Sequence, residues 1–324
     1  PSPDGNTLFI TSDVKWPAGD QEIDRRNGPY PTQAKIWDDL YYRHWNEWRV
    51  GQRSHLLRWD VASKTLTDLT PIDHDVPTLA LGGADIAVAP NGVEVAVVYN
   101  PDQEVAQSTN NDVFVVGSAG GTPQPITARR GNDHSPAFSP DGRQIAYLSM
   151  ETPGFEADRQ QLMLYDRGTG QHRPLSANWD VNVQSLAWTP NGKTVVLEIE
   201  ERGVHNLYAL ELATGRRTIL VSGGVNTGMN VSPDGQSVVF LSQTATQPPE
   251  VYRVGIDGRG LKAVTAINAG ALAALDLAPL KSFKFVGAMG DSVQSWLLTP
   301  PGFDPARKYP LIFIVHGGPQ APML

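Results

Sequence analysis

The stretch Ser139-Pro140-Asp141-Gly142-Arg143-Gln144-Ile145-Ala146-Tyr147-Leu148 decides the fold, because a tight-turn tetrad runs straight into an apolar strand. Proline presets φ near −65°, Asp bonds the local backbone, and Gly accepts φ > 0. The tetrad recurs as Ser2-Pro3-Asp4-Gly5, Ala89-Pro90-Asn91-Gly92, Thr189-Pro190-Asn191-Gly192 and Ser232-Pro233-Asp234-Gly235. Successive prolines lie 87, 50, 50 and 43 residues apart, so the first gap reads as one period carrying an insertion. An apolar run follows each turn, at 7–10, 93–99, 144–148, 194–199 and 237–241. A second run comes later in each unit, at 55–61, 112–116, 161–165, 206–210 and 250–254. Short closing runs such as 125–127 and 217–220 follow a polar hairpin. This spacing predicts about four strands per repeat, five times over. A lone sheet of that size cannot bury both faces, whereas radially stacked sheets do, which is the propeller solution. The fold class expected is all-β, a β-propeller with five blades visible. A β-sandwich with coincidental turns is the alternative, but a sandwich needs no repeat.

Bulk composition narrows the function. The 324 residues are 40% hydrophobic, enough for a large core, with 31 Gly and 26 Pro for many turns. A formal net charge of -8, with no Lys/Arg run longer than two, speaks against nucleic acid as a partner. The absence of Cys excludes a disulfide framework, a thiol nucleophile and a thiolate metal site. No H-E-x-x-H or clustered His/Asp set points to a metal, and no cofactor is expected. No apolar run approaches the roughly 20 residues of a membrane span. Pro1 falls inside a turn motif, which reads as a missing N-terminus and leaves any targeting signal out of view.

Residues 13–54 break the repeat and crowd together Trp16, Tyr30, Trp37, Tyr41, Tyr42, Trp45 and Trp48. Trp37, Tyr41, Trp45 and Trp48 fall on one face of an expected helix, with Asp38 and Asp39 in its first turn. Two readings stand. The acidic start complements a helix dipole and the aromatic stripe packs on the propeller. Alternatively the helix projects into a substrate cavity, where Asp38, Asp39 or Glu47 pairs with a peptide α-ammonium and tryptophans such as Trp45 wall the pocket.

After Pro279 the repeat stops. Runs at 283–286 and 293–298 read as two strands joined through Met289-Gly290-Asp291. The continuously apolar run 309–315 reads as a strand buried on both faces of an α/β sheet, and it enters His316-Gly317-Gly318-Pro319. A strand ending in His-Gly-Gly-Pro resembles the oxyanion-hole loop of α/β-hydrolases, whose glycines let backbone N–H groups approach a substrate carbonyl.

With the repeats, the linker Pro300-Pro301-Gly302-Phe303-Asp304-Pro305 and this strand end in hand, the whole chain resembles the prolyl oligopeptidase family of serine peptidases. The segment from Lys35 to Trp48 is similar to dipeptidyl- and acylaminoacyl-peptidase members. The resemblance implies a propeller at 1–279 with a helical aromatic insertion at 13–54. The start of an α/β-hydrolase domain follows at 280–324. About seven blades are implied for the intact protein. It implies short peptides as substrates, acyl transfer through a Ser-His-Asp triad, and the rest of the hydrolase domain as partner. Gly318 would be the oxyanion N–H donor, with Gly317 aiding close approach and His316 shaping the loop. No Gly-x-Ser-x-Gly occurs in the sequence, so the triad is absent and this chain alone is expected to be inactive. A periplasmic or secreted location is what the resemblance suggests; cytoplasm and homo-oligomerisation stay open. The competing function is a non-enzymatic scaffold resembling TolB, with the same turn repeats and no use for a His-Gly-Gly-Pro strand end.

Overall fold

The computed structural model describes residues 1–16, 40–49 and 51–315. The chain forms two compact units, Pro1–Asp180 and Val181–Leu324. The first carries three antiparallel sheets. One is β1 (Thr7–Lys15) with β4 (Gln52–Asp60) and β5 (Thr65–Asp68), and between β1 and β4 the chain inserts β2 (Arg43–His44) and β3 (Glu47–Trp48). The next is β6 (Ile86–Val88), β7 (Glu94–Tyr99), β8 (Asp112–Gly117) and β9 (Gln124–Pro125). The third is β10 (Asn132–Phe138), β11 (Gln144–Met150), β12 (Gln161–Asp166) and β13 (Gln171–Pro174).

The second unit repeats the plan. Strands β14 (Asn182–Trp188), β15 (Thr194–Glu201), β16 (Val204–Glu211) and β17 (Arg217–Val221) make one blade. Strands β18 (Val225–Val231), β19 (Ser237–Thr244), β20 (Gln247–Gly255) and β21 (Lys262–Ala263) make the next. A parallel bridge between His205 and Val225 joins the two. The blades are of the propeller type, as the repeat predicts. No described helix is long and apolar enough to cross a membrane.

Each tetrad folds as a locked turn. The Gly N–H donates to the carbonyl of the first residue at 2.8–3.0 Å, and the five glycines sit at φ 67–74. Where that first residue is Ser or Thr, its hydroxyl donates to the Asp or Asn: Ser2 to Asp4 at 2.5 Å, Ser139 to Asp141 at 2.6 Å, Thr189 to Asn191 at 2.8 Å, Ser232 to Asp234 at 2.5 Å. The same oxygen accepts the amide that opens the next strand, as in Gln144 N to Ser139 Oγ at 2.9 Å. These hydroxyls hold Asp4, Asp141 and Asp234 below the usual carboxylate range.

A blade's second strand is buried on both faces. On β7, Val95, Val97 and Tyr99 pack into one core with Leu56, Leu69 and Phe114, while Ala96 and Val98 enter another with Ile145 and Tyr147. In the second unit Val196, Leu207, Phe240 and Val254 form the corresponding core. The cost of burying backbone donors is met by a recurring clasp: an amide near the start of the third strand donates to a hydroxyl fourteen residues on. The pairs are Leu56–Thr70 at 2.9 Å, Val113–Thr127 at 2.9 Å, Leu162–Ser176 at 2.7 Å and Val251–Thr265 at 2.9 Å. In the remaining blade Leu207 pairs with Val221 at the same spacing, without the hydroxyl. Thr127 also donates to Asp112 at 2.7 Å, and Thr265 to Glu250.

Two expectations are corrected. The helix predicted through 37–48 is absent from its described part. Residues 43–48 form the β2–β3 hairpin, and β1 and β4 absorb 13–15 and 52–54, so the break in the pattern is narrower than 13–54. The aromatic run suits a pleated hairpin as well as a helix face. The strand expected over 309–315 is not formed. Leu311 to Val315 are 71–83% exposed, because no neighbouring strand among the described residues offers ladder partners. Before it, β22 (Lys281–Val286) and β23 (Ser292–Leu297) do pair as a hairpin. Gln294 Nε2 donates to the Arg202 carbonyl at 2.9 Å, and the Trp296 ring occupies the space a side chain on Gly203 would need.

Between the second and third blades a seam of polar groups is buried. Asp133 is fully buried, with its amide donating to the Asn111 carbonyl at 2.8 Å and neither carboxylate oxygen hydrogen-bonded. Burial pushes its carboxyl up to about 6, the Asp112 carboxylate adds to the rise, and Arg129 opposes it. Protonation is therefore easier in the folded state than in the unfolded chain, whose Asp titrates near 3.8. Stability should fall as pH rises from about 4 to about 6 and stay lower above it. Asp133→Asn should remove that fall and gain on the order of 2 kcal/mol at pH 8, read by urea unfolding across pH. Separately, Thr127→Val should cost about 1–3 kcal/mol by stranding the Val113 donor, while Thr127→Ser stays close to the parent in thermal melts.

Candidate functional site

The described insertion is short: Tyr41-Tyr42-Arg43-His44-Trp45-Asn46-Glu47-Trp48. Arg43 pairs across from Trp48 and His44 from Glu47, leaving Trp45 and Asn46 as a two-residue turn. Trp45 sits at φ 48, a region bulky residues rarely adopt, and is 84% exposed. Tyr42 stacks on Trp48 with centroids 6.2 Å apart, and His44 meets both Tyr41 and Trp45 edge-on at 6.0 and 6.3 Å. The base of the hairpin is tied down. Arg49 N donates to the Tyr42 carbonyl at 3.1 Å, and its guanidinium pairs with Asp75, which also accepts the Ser54 amide at 2.9 Å.

Opposite the hairpin runs the loop from Thr78 to Asp85. It is strapped to the seam below by four side chains. Asn111 Nδ2 donates to the Ala80 carbonyl at 2.9 Å, Asn132 Nδ2 to the Leu81 carbonyl at 3.0 Å, and the two amides bond each other at 2.8 Å. Asp85 accepts the amides of Gly83 at 2.9 Å and Ser135 at 3.1 Å, while Ser135 Oγ accepts the Ala84 amide at 3.2 Å. A Cβ at 82 or 83 would meet Asp85 Oδ2 at 2.2 Å or Ser135 Oγ at 2.3 Å, so a larger residue would displace the side chains that strap the loop.

Hairpin and loop enclose a cleft of about 810 Å³ lined by Tyr41, Arg43, His44, Trp45, Asn46 and Leu79 to Leu81. Burial, and then the Glu156 carboxylate, push the Tyr41 hydroxyl above its ordinary value, so it stays a neutral donor. The cleft lies at the blade ends opposite the locked turns, since the 78–85 loop leads into β6 while the turn at 89–92 leaves it. In the second unit a smaller cavity of about 210 Å³ lies among Val204, Val225, Thr244, Pro279 and Trp296. Among the described residues no three His, Asp or Glu side chains come together as metal ligands.

Of the sequence candidates, the structure places Trp45 in the cleft and Glu47 on the exposed hairpin strand outside its lining. Asp38 and Asp39, and His316, Gly317 and Gly318, lie outside the described residues. The opposite wall went unread. Its signal was Leu81-Gly82-Gly83, a double glycine with no place in the repeat.

No protein-family model matches the chain. It is 28% identical over 331 residues to dipeptidyl-peptidase 5 of Porphyromonas gingivalis, an alignment covering 98% of this chain and 47% of that protein. Dipeptidyl-peptidase 5 of Aspergillus fumigatus is 28% identical, with 98% of this chain and 48% of that protein covered. The chain thus spans about half the length of these curated relatives. Among solved structures, an acylaminoacyl peptidase in complex with Z-Gly-Gly-Phe-chloromethyl ketone superposes with TM-score 0.68 at 14% identity, over 95% of this chain and 43% of that one. Porphyromonas gingivalis dipeptidyl peptidase 4 gives 0.60 at 19% identity, over 95% and 43%. TolB from Acinetobacter baumannii gives 0.51 at 16%, over 76% and 57%, a weaker likeness. Sequence likeness along nearly the whole chain, together with the blade architecture, makes the chain similar to the propeller-bearing portion of prolyl oligopeptidase-family peptidases.

Proposed function

We propose that this chain is the substrate-admitting portion of a serine exopeptidase that removes dipeptides or acylated residues from short peptides. The observation that carries the reading is the sequence likeness to dipeptidyl-peptidase 5 across 98% of the chain. The cleft adds a physical reason. It is open, walled by aromatic rings on one side and apolar side chains on the other, and sized for a few residues of extended peptide. In this reading Asp38, Asp39 or Glu47, carried by one insertion, pairs with the peptide's α-ammonium, and Trp45 walls the pocket. Residues 280–324 begin the catalytic domain, whose oxyanion would be met by the Gly318 N–H beside Gly317. The Ser, Asp and His of the triad are not in this sequence, so the chain by itself would bind peptides without cleaving them.

Full-length protein should hydrolyse dipeptidyl or acyl-aminoacyl chromogenic substrates, and a serine-directed phosphonylating inhibitor should abolish the rate. Inhibitor-resistant turnover would remove the serine mechanism. No turnover of either substrate class would favour the TolB-like scaffold. Replacing Asp38, Asp39 and Glu47 singly by Ala should raise KM for free-amine dipeptidyl substrates about tenfold or more at the anchoring position, with N-blocked substrates little changed. Equal effects on both substrate types would return the insertion to a packing role.

A further inference from the structure

We infer that Asn111 and Asn132 are positioning residues for the cleft, and that the wall they hold selects an apolar side chain on the peptide's N-terminal residue. The inference rests on the cleft being the peptide site.

The argument starts from where the wall's polar groups go. Ala80's carbonyl accepts from Asn111 Nδ2 at 2.9 Å, and Leu81's carbonyl accepts from Asn132 at 3.0 Å. The amides of Gly83 and Ala84 are bound by Asp85 and Ser135. A peptide laid on this loop therefore finds these four backbone groups, two carbonyls and two amides, already engaged from below. Over them lie the side chains of Leu79, Ala80 and Leu81, each half-buried, and these contribute apolar contact. The strap is itself buried, with Asn111 2% and Asn132 1% exposed, so water does not compete for these bonds. Thr78 completes it by donating to Asn111 Oδ1 at 2.8 Å. Leu81 is held at φ 57, a backbone geometry a free loop would leave. A wall fixed in advance saves the ordering cost a mobile loop would impose on binding. With the amine held at the hairpin side, the first side chain of the peptide is the one that meets this wall.

Asn132→Asp tests the role, since it keeps the shape and turns the donor to Leu81 into a second acceptor. Thr78→Val is a milder variant that frees Asn111, the donor to the Ala80 carbonyl, should the first fail to fold. The control is Thr265→Val, which breaks a clasp in the other unit. Full-length enzyme is assayed on two dipeptidyl substrates, one with Leu and one with Gly at the N-terminal position, and hydrogen exchange is read at Gly83 and Ala84. The expected result is faster exchange at both amides and a KM about tenfold higher for the Leu substrate. The Gly substrate and kcat should hold, and the control should lower Tm without moving KM. Equal KM changes on both substrates, or faster exchange with KM unmoved, would overturn the positioning role. Wild-type enzyme that cleaves neither substrate would overturn the peptidase reading itself, and the positioning role with it.

Discussion

A blade has one sheet with which to bury two faces, and this constraint governs the rest of the structure. It makes neighbouring residues on β7 belong to different cores, Val95, Val97 and Tyr99 to one and Ala96 and Val98 to the other. A polar position inside such a strand needs a dedicated partner, as Glu198 has in Ser185 and His205, each at 2.8 Å, and most polar groups sit at the strand ends. At one end they become the locked turns, where one oxygen both donates to the Asp and accepts the next strand's amide. At the other they become the seam of Asn111, Asp112, Asn132 and Asp133, and above it the loops are free to differ. The cleft stands at this second end because only there does the repeat tolerate variation.

The turns also set the spacing between blades. Pro3 Cδ lies 3.4 Å from where a side chain on Gly92 would begin, and Pro190 Cδ 3.2 Å from the corresponding point on Gly235. The proline of one turn thus packs on the glycine of the next within each unit. The glycine serves twice, once for its positive φ and once for its missing side chain.

These turns are what made the fold legible. Pro-Asp/Asn-Gly names its own conformation, and the apolar runs after it alternate between two buried faces without interruption. The innermost strands were harder to locate. Each of β10, β14 and β18 breaks register, between His134 and Ala137, Val183 and Ser185, and Thr227 and Asn230. A bulge destroys the two-residue period that marks a strand. The hydroxyl clasps escaped because their partners are fourteen residues apart, beyond any local motif. The aromatic insertion misled for a different reason: with Trp45 in the turn and Tyr42 stacked across on Trp48, a hairpin places rings at intervals that also fit a helix face. Of the site, Trp45 was readable as a ring that could wall a pocket. The Leu79–Leu81 wall was not, because its form depends on Asn111 and Asn132, far away in sequence.

The unpaired row from Leu311 to Val315 has a bearing on how the molecule behaves in solution. Five consecutive β-prone side chains without a charge among them, each more than two-thirds exposed, offer a bare edge to any similar edge nearby. Two copies that meet there can form a ladder between chains, and nothing in the row sets a register against it. A strand laid along this stretch would take five apolar side chains out of water at once.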